Sequence, residues 1–206
     1  MSRRLANKTV RTGNWLALAL VLGAVGSAVF VYARWLYRER LCSKLIAEIV
    51  PNYGVDEFLV KAVVRQESNF DPFAISSKGA IGLMQVMPGT GKEWAQTTGQ
   101  KDFVKDSLWT PRVNVEVGTW YLARSLAYWR AQGVDDPVPF ALAEYNAGPG
   151  MAQRWRAATA AEFMSNISYP GVRRYIERVT GYYTDYMDRS PALEPQTNPP
   201  SAGIQS

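Results

Sequence analysis

The chain has 206 residues, with 23 basic and 18 acidic side chains, one cysteine and no histidine. That length allows one domain with a proper core plus appendages. The missing histidine excludes Ser-His and Cys-His nucleophile pairs and the common histidine-containing zinc sites. A single cysteine, Cys42, excludes an internal disulfide or a CxxC motif and leaves the compartment open. Any catalysis therefore falls to carboxylates, hydroxyls, amides or lysines.

The formal charge of +5 is unevenly placed. Seven of the 23 basic residues but only one of the 18 acidic ones fall within residues 1–40, leaving 16 basic against 17 acidic in the rest. The body of the protein is nearly neutral, which is a poor electrostatic footprint for nucleic acid, and no nucleic-acid partner is expected.

Residues 1–14 read as a basic tail. Residues 15–33, WLALALVLGAVGSAVFVYA, are uncharged and almost wholly apolar. As a helix they span about 28 Å, close to the hydrocarbon thickness of a bilayer. Trp15, Tyr32 and Trp35 stand where interfacial aromatics belong. A cleavable signal is the rival: Val31-Tyr32-Ala33 loosely fits a cleavage site, and Arg3-Arg4 is a twin arginine. The apolar run is longer than a signal's hydrophobic region, so a retained transmembrane anchor is expected. Basic residues near both ends do not orient it.

Residues 34–40 read as a basic linker, and residues 41–188 as the folded domain. In LCSKLIAEIV, Leu41, Leu45, Ile46 and Ile49 share a helical face that Pro51 ends. A helix fits 56 to about 68, and residues 71–82 read as loop. A short helix after Pro88 has Thr90 as its candidate cap. In VNVEVGTWYLARSLAYWRAQG the stripe is Val115, Thr119, Leu122, Leu126 and Trp129, with Gly133 as the stop. PVPFALAEYNAGPG opens on helix-starting prolines and ends in a Gly-Pro-Gly break. The last helix, 172 to about 188, stacks Tyr175, Ile176, Val179, Tyr183 and Tyr186. Residues 189–206 are Pro-rich and expected to be disordered. No alternating run argues for a substantial sheet.

Val60, Val63, Val64 and Glu67 follow i, i+3, i+4, i+7 spacing, so Glu67 continues an apolar stripe. Such a site penalises a charged carboxylate and keeps a proton available near neutrality, the device by which lysozyme makes a general acid. From position alone, Glu67 serves equally as a cap or an ion-pair member within the fold.

The stretch from Glu67 to Pro88, ESNFDPFAISSKGAIGLMQVMP, resembles the signature of the soluble-type lytic transglycosylase domain, a relative of goose-type lysozyme. Glu67, Ser68, Pro72, Ser76, Gly79, Ala80, Gly82, Leu83, Met84, Gln85, Met87 and Pro88 fall in matching places. Two more blocks follow in the family's order: NVEVG at 114–118 with Tyr121-Leu122, and ALAEYNAGPG at 141–150. The resemblance covers roughly residues 41–188. It implies a mainly α protein, a lysozyme-like helical domain preceded here by the single N-terminal transmembrane helix.

The resemblance further implies cleavage of peptidoglycan glycan strands between N-acetylmuramic acid and N-acetylglucosamine, leaving a 1,6-anhydromuramic end, with no metal or other cofactor. A substrate-assisted enzyme needs no second carboxylate. Glu67 would act first as acid and then as base. Ser76 would hydrogen-bond the N-acetyl group, and Gln85 would orient sugar or Glu67. Tyr145 would line the groove near the charged intermediate, with Asn146 shaping its wall. Met84 is either a sugar contact or core. Implied partners are peptidoglycan strands and, through the N-terminal helix, the membrane, with an envelope-spanning machine left open. The implied location is a single pass through the inner membrane, with the catalytic domain periplasmic or extracellular. A hydrolytic muramidase and a non-catalytic glycan-binding scaffold are the alternatives.

Three residues depart from the family's pattern. Gly171 stands where many members have a glutamate, Glu144 where a small apolar residue is usual, and Gly91 where alanine is common.

Overall fold

The computed structural model describes residues 3–190. Most of the tail expected to be disordered, from residue 191 onward, lies outside the described residues. The chain divides into two compact units, Met1–Leu45 and Ile46–Ser206.

Helix α1, Arg3–Ile49, runs without interruption. The stretch 34–40, expected as a linker, is therefore helical, and no new helix begins at Leu41. The side chains of residues 17–34 are exposed. By length and composition this is a helix able to cross a membrane. The one serine of the apolar run, Ser27, donates back to the Gly23 carbonyl at 2.8 Å, so its hydroxyl needs no other partner in an apolar solvent.

The second unit is built from the end of α1 and seven further helices among the described residues: α2 Glu57–Ser68, α3 Pro88–Thr98, α4 Pro111–Ala131, α5 Pro137–Ala147, α6 Pro149–Arg154, α7 Ala160–Asn166 and α8 Pro170–Arg189. Their starts follow local chemistry. Asp56 caps α2 by accepting from the Phe58 and Leu59 amides at 2.8 and 3.3 Å, and Asp136 caps α5 by accepting from Val138 at 2.9 Å. Helix α3 begins at Pro88, so Thr90, expected as its cap, lies inside the helix. Proline at the first helical position lacks only an amide that would have no partner there, and its fixed φ suits the entry. Pro51 sits in a 3-10 turn, Val50–Asn52, directly after α1.

Helix α5 is the hub, packed against α4, α6, α7 and α8, while α2 lies along α8. The expected α4 stripe of Val115, Thr119, Leu122, Leu126 and Trp129 is buried, as are Val60, Val63 and Val64 of α2. Short α7 was not anticipated. It exists to deliver Phe163, fully buried, onto Phe140 with ring centroids 4.0 Å apart and beside Trp129 at 6.2 Å. Of the expected α8 stripe, Tyr183 is only partly buried.

No strand of a sheet occurs among the described residues. The loop between α2 and α3 carries two isolated antiparallel bridges, Ile75 with Ile81 and Ile81 with Val86. This loop is tied to α4 by Asn114, which is 1% exposed. Its Oδ1 accepts from the Met84 amide at 2.8 Å, and its Nδ2 donates to the carbonyls of Ile81 and Leu108 at 2.7 and 2.9 Å. Gly82, at φ +76°, lies so close that a Cβ there would stand 2.4 Å from Asn114 Nδ2. Gly91 is explained the same way: a Cβ would meet the Phe103 ring at 2.5 Å, so the ring fills the space an alanine would occupy.

Candidate active site

Glu67 lies in the last turn of α2, on the face carrying Val60, Val63 and Val64, and is partly buried. From α8, 108 positions away in sequence, the Tyr175 hydroxyl donates to Glu67 Oε1 at 2.7 Å. Burial lifts the Glu67 pKa to about 7, and the Tyr175 hydrogen bond opposes part of that rise. The cations of α2 are engaged elsewhere: Arg65 lies over the Tyr182 ring at 3.9 Å and Lys61 over the Tyr186 ring at 4.3 Å. The carboxyl is thus poised by desolvation with no positive charge pulling it down.

Three non-glycine residues among those described have positive φ: Asn69 at 51°, Phe70 at 63° and Gln85 at 48°. Asn69 ends α2 in the left-handed conformation, which suits Asn, whereas Phe70 and Gln85 adopt it at a steric cost. Phe70 is held there by burial, at 1% exposure. All three flank Glu67 or the loop that faces it, and strain retained at such places is a pointer to function.

Tyr145, on α5, donates its hydroxyl to the Met84 carbonyl at 2.8 Å and meets Tyr121 edge-on at 5.7 Å. Burial, then the Glu67 charge, then Tyr121 push its pKa well above the ordinary value, and Tyr175 is raised by burial and by the same charge. Both hydroxyls therefore keep their protons beside Glu67. A cleft of about 300 Å³ adjoins Tyr145, lined by Gln85, Val86, Met87, Thr90, Gly118, Tyr121, Glu144, Asn146, Gly148 and Pro149 as well. Glu67 does not line this cleft and stands next to it through Tyr145.

The loop places the other expected residues. Gln85 borders the cleft, but its amide nitrogen donates to the Ala74 and Gly82 carbonyls at 3.1 and 3.0 Å. Only its amide oxygen is left to face a ligand. Ser76 Oγ accepts from the Ala80 and Lys78 amides at 3.0 and 3.3 Å, which leaves its proton free to be donated. Asn146 is exposed at the cleft wall. Met84 is fully buried, its sulfur 3.9 Å from Thr119 Oγ1, and a Cβ on Gly118 would meet that sulfur at 2.4 Å. Of the two readings of Met84, this packing is core: the thioether has no surface to offer a sugar, and the residue serves the site through the carbonyl that Tyr145 holds. Gly171 lies in the first turn of α8, and a Cβ added there would meet nothing within 4 Å.

Sequence reasoning assigned no site role to Tyr175, Asn114 or Tyr121. Asn114 carried a usable signal, a polar residue at i−4 and i−8 from buried Gly118 and Leu122. Tyr175 carried none beyond its place on an apolar stripe. The described residues hold no group of three or more His, Cys, Asp or Glu side chains able to share a metal ion.

Residues 44–167 match the family model described as the transglycosylase SLT domain. The chain is 32% identical over 148 residues to the soluble lytic murein transglycosylase of Salmonella typhimurium, covering 68% of this chain and 22% of that protein. It is 36% identical over 115 residues to membrane-bound lytic murein transglycosylase C of Shigella sonnei, covering 53% and 32% respectively. It therefore spans under a third of either relative. Among solved structures it resembles an inactive Glu-to-Gln mutant of lytic transglycosylase Slt from Pseudomonas aeruginosa, with a TM-score of 0.62, 29% identity and coverage of 72% and 24%. It also resembles the 70 kDa soluble lytic transglycosylase of Escherichia coli, with a TM-score of 0.60, 28% identity and coverage of 75% and 26%. With the model match extending over more than half of its length, from just before the end of α1 to just before α8, the chain belongs to the transglycosylase SLT-domain family.

Proposed function

We propose that the chain is a membrane-anchored peptidoglycan lytic transglycosylase in which Glu67 is the single acid and base. The observation that carries this reading is the Glu67 carboxyl, partly buried, with a pKa raised to about 7 and the Tyr175 hydroxyl on Oε1. Near neutral pH such a group is protonated often enough to give a proton and basic enough to take one back. Glu67 protonates the oxygen leaving the N-acetylmuramic anomeric carbon, while the oxygen of that sugar's N-acetyl group bonds to the carbon. The resulting Glu67 carboxylate then removes the proton from the C6 hydroxyl. O6 displaces the N-acetyl oxygen and closes the 1,6-anhydro ring. No water is consumed and no second carboxylate is needed.

The surrounding residues fit these steps. The Ser76 hydroxyl donates to the N-acetyl group. The Tyr145 oxygen, its proton committed to Met84, presents lone pairs to the positively charged intermediate. The Gln85 amide oxygen and Asn146 bind sugar along the cleft wall. Residues 15–33 anchor the protein in the inner membrane with the basic residues 1–14 in the cytoplasm. The catalytic domain then stands outside, where peptidoglycan lies. One similar protein is itself described as membrane-bound, which supports the anchor.

Digestion of purified sacculi by the detergent-solubilised protein tests the reaction. Mass analysis of the released fragments is expected to give anhydro ends, lighter by one water than the reducing ends a hydrolase would leave. Reducing ends alone would assign the chain as a muramidase, and no fragments at all would favour a glycan-binding scaffold.

Tyr175→Phe tests the tuning of Glu67. Removing the hydrogen bond that lowers the Glu67 pKa is expected to move the alkaline limb of the kcat/KM profile to higher pH. An unchanged profile with only a lower rate would mean that Tyr175 is structural.

A further inference from the structure

Glu144 is a buried carboxylate that the mechanism does not use. It is 6% exposed and lines the cleft beside Tyr145. One oxygen, Oε2, accepts a hydrogen bond from the Trp129 indole at 2.9 Å. Among the described residues no cation pairs with it, and it is the only charged side chain lining the cleft. Arg124, the arginine beside the cleft residue Tyr121, is ion-paired with Glu93 and lies over the Trp120 and Tyr121 rings at 4.8 and 4.9 Å. A carboxylate this deep is ordinarily matched by a cation or by several donors, because removal from water costs more than one neutral hydrogen bond returns. The indole supplies a single neutral donor. The second oxygen has no hydrogen-bond partner among the described residues, and Glu144 presents it at the cleft, within reach of a donor from outside the chain.

We propose that Glu144 is a specificity-determining residue whose free carboxylate oxygen receives a primary ammonium group carried by the substrate, so that the cleft favours glycan strands bearing free amines. The proposal rests on the reading of this site as one that binds peptidoglycan strands. A hydroxyl or acetamido N–H would also fit the oxygen but would leave its charge uncompensated. A charge-assisted bond is about twice as strong as a neutral one, and it decides the preference. On such a strand, a primary ammonium sits either on a glucosamine ring that has lost its acetyl group or on a peptide stem.

Two matched substrate pairs separate these sources. The first is stem-free glycan whose glucosamine amines have been freed enzymatically, against the same glycan re-acetylated. The muramic N-acetyl groups are left in place because they take part in the reaction. The second is fully N-acetylated glycan with stem amines free, against stem amines acetylated. For the full-length protein, one pair is expected to show a preference for the free amine of about tenfold in kcat/KM, mostly through KM. That ratio is expected to fall towards one in Glu144→Gln, which still accepts from the Trp129 indole. Glu144→Asp, which keeps the charge on a shorter arm, is expected to retain part of it. Thermal melting checks that both variants fold.

Equal treatment of both members of both pairs by the wild type, or a preference unchanged in Glu144→Gln, overturns the proposal. Binding of the same strands to Glu67→Gln, with and without Glu144→Gln, gives a readout that needs no cleavage. If cleavage depends on Glu67 but neither rate nor binding depends on Glu144, this inference fails alone. If strands bind with the amine preference but are never cut, the catalytic reading fails alone.

Discussion

Glu67→Gln is expected to lower the rate of anhydro-fragment release from sacculi by about 10²–10⁴-fold, the range that a positioned general acid and base supplies. Glutamine keeps the shape and keeps an oxygen for the Tyr175 hydroxyl, so the loss isolates the proton. A Glu-to-Gln mutant of a similar protein is itself described as inactive. Retention of wild-type rate would remove Glu67 from the chemistry.

The same substitution has an opposite effect on stability, with a sign fixed by the pKa. The folded value is about 7 against 4.5 for the ordinary carboxyl, so between those values the folded chain binds more protons than the unfolded one. Stability contributed by this group is therefore full below pH 4.5 and declines as pH rises to about 7. Above that, the buried charge costs about 2 kcal/mol once partial solvent contact is discounted. Thermal melting is expected to show Glu67→Gln more stable than wild type by roughly 5 °C at pH 8 and indistinguishable from it at pH 4. A difference that persists at pH 4 would mean the gain comes from packing.

Asn114→Leu is expected to be the most damaging change away from the acid. It removes the Asn114 bonds from three buried backbone groups at once: the Met84 amide and the Leu108 carbonyl lose the partner described for them, and the Ile81 carbonyl is left with the Val86 amide alone. At about 1–3 kcal/mol for each unsatisfied group, the loss is about 4 kcal/mol, or a fall in melting temperature on the order of 10 °C. Asn114→Asp should do no better, because an acceptor would replace the donor facing two carbonyls. Activity of the folded fraction should fall too, since Met84 and Gln85 ride on the loop that Asn114 ties down. A change in melting temperature below about 2 °C would show that the loop is held by other contacts.

The periodic part of the fold was legible in the sequence. The α4 stripe, the α2 stripe ending in Glu67 and the loop after it were readable because apolar spacing and Gly or Pro positions are local signals. Short α7 was not, since a seven-residue helix has too few turns to show a period, and its purpose is one distant ring contact by Phe163. Within the site, the residue types of Glu67, Ser76, Gln85 and Tyr145 were readable through the family signature, but their hydrogen bonds were not. Gln85 spends its amide nitrogen on its own loop because of a left-handed backbone that no spacing announces. The Tyr175–Glu67 bond joins residues 108 apart, and only tertiary packing creates it. The departure at Gly91 proved to be an exchange of volume with Phe103, visible only once both are in place.

The cross-bracing of the loop between α2 and α3 has a consequence for recognition. Its donors and acceptors are largely consumed before any ligand arrives, by Asn114, by the Gln85 amide and by the two short bridges. The freedom a slack segment would surrender on docking has already been surrendered during folding. Docking then resembles a key entering a finished lock, and in the proposed mechanism one lone acid would suffice because its aim is set by the chain and not by the guest.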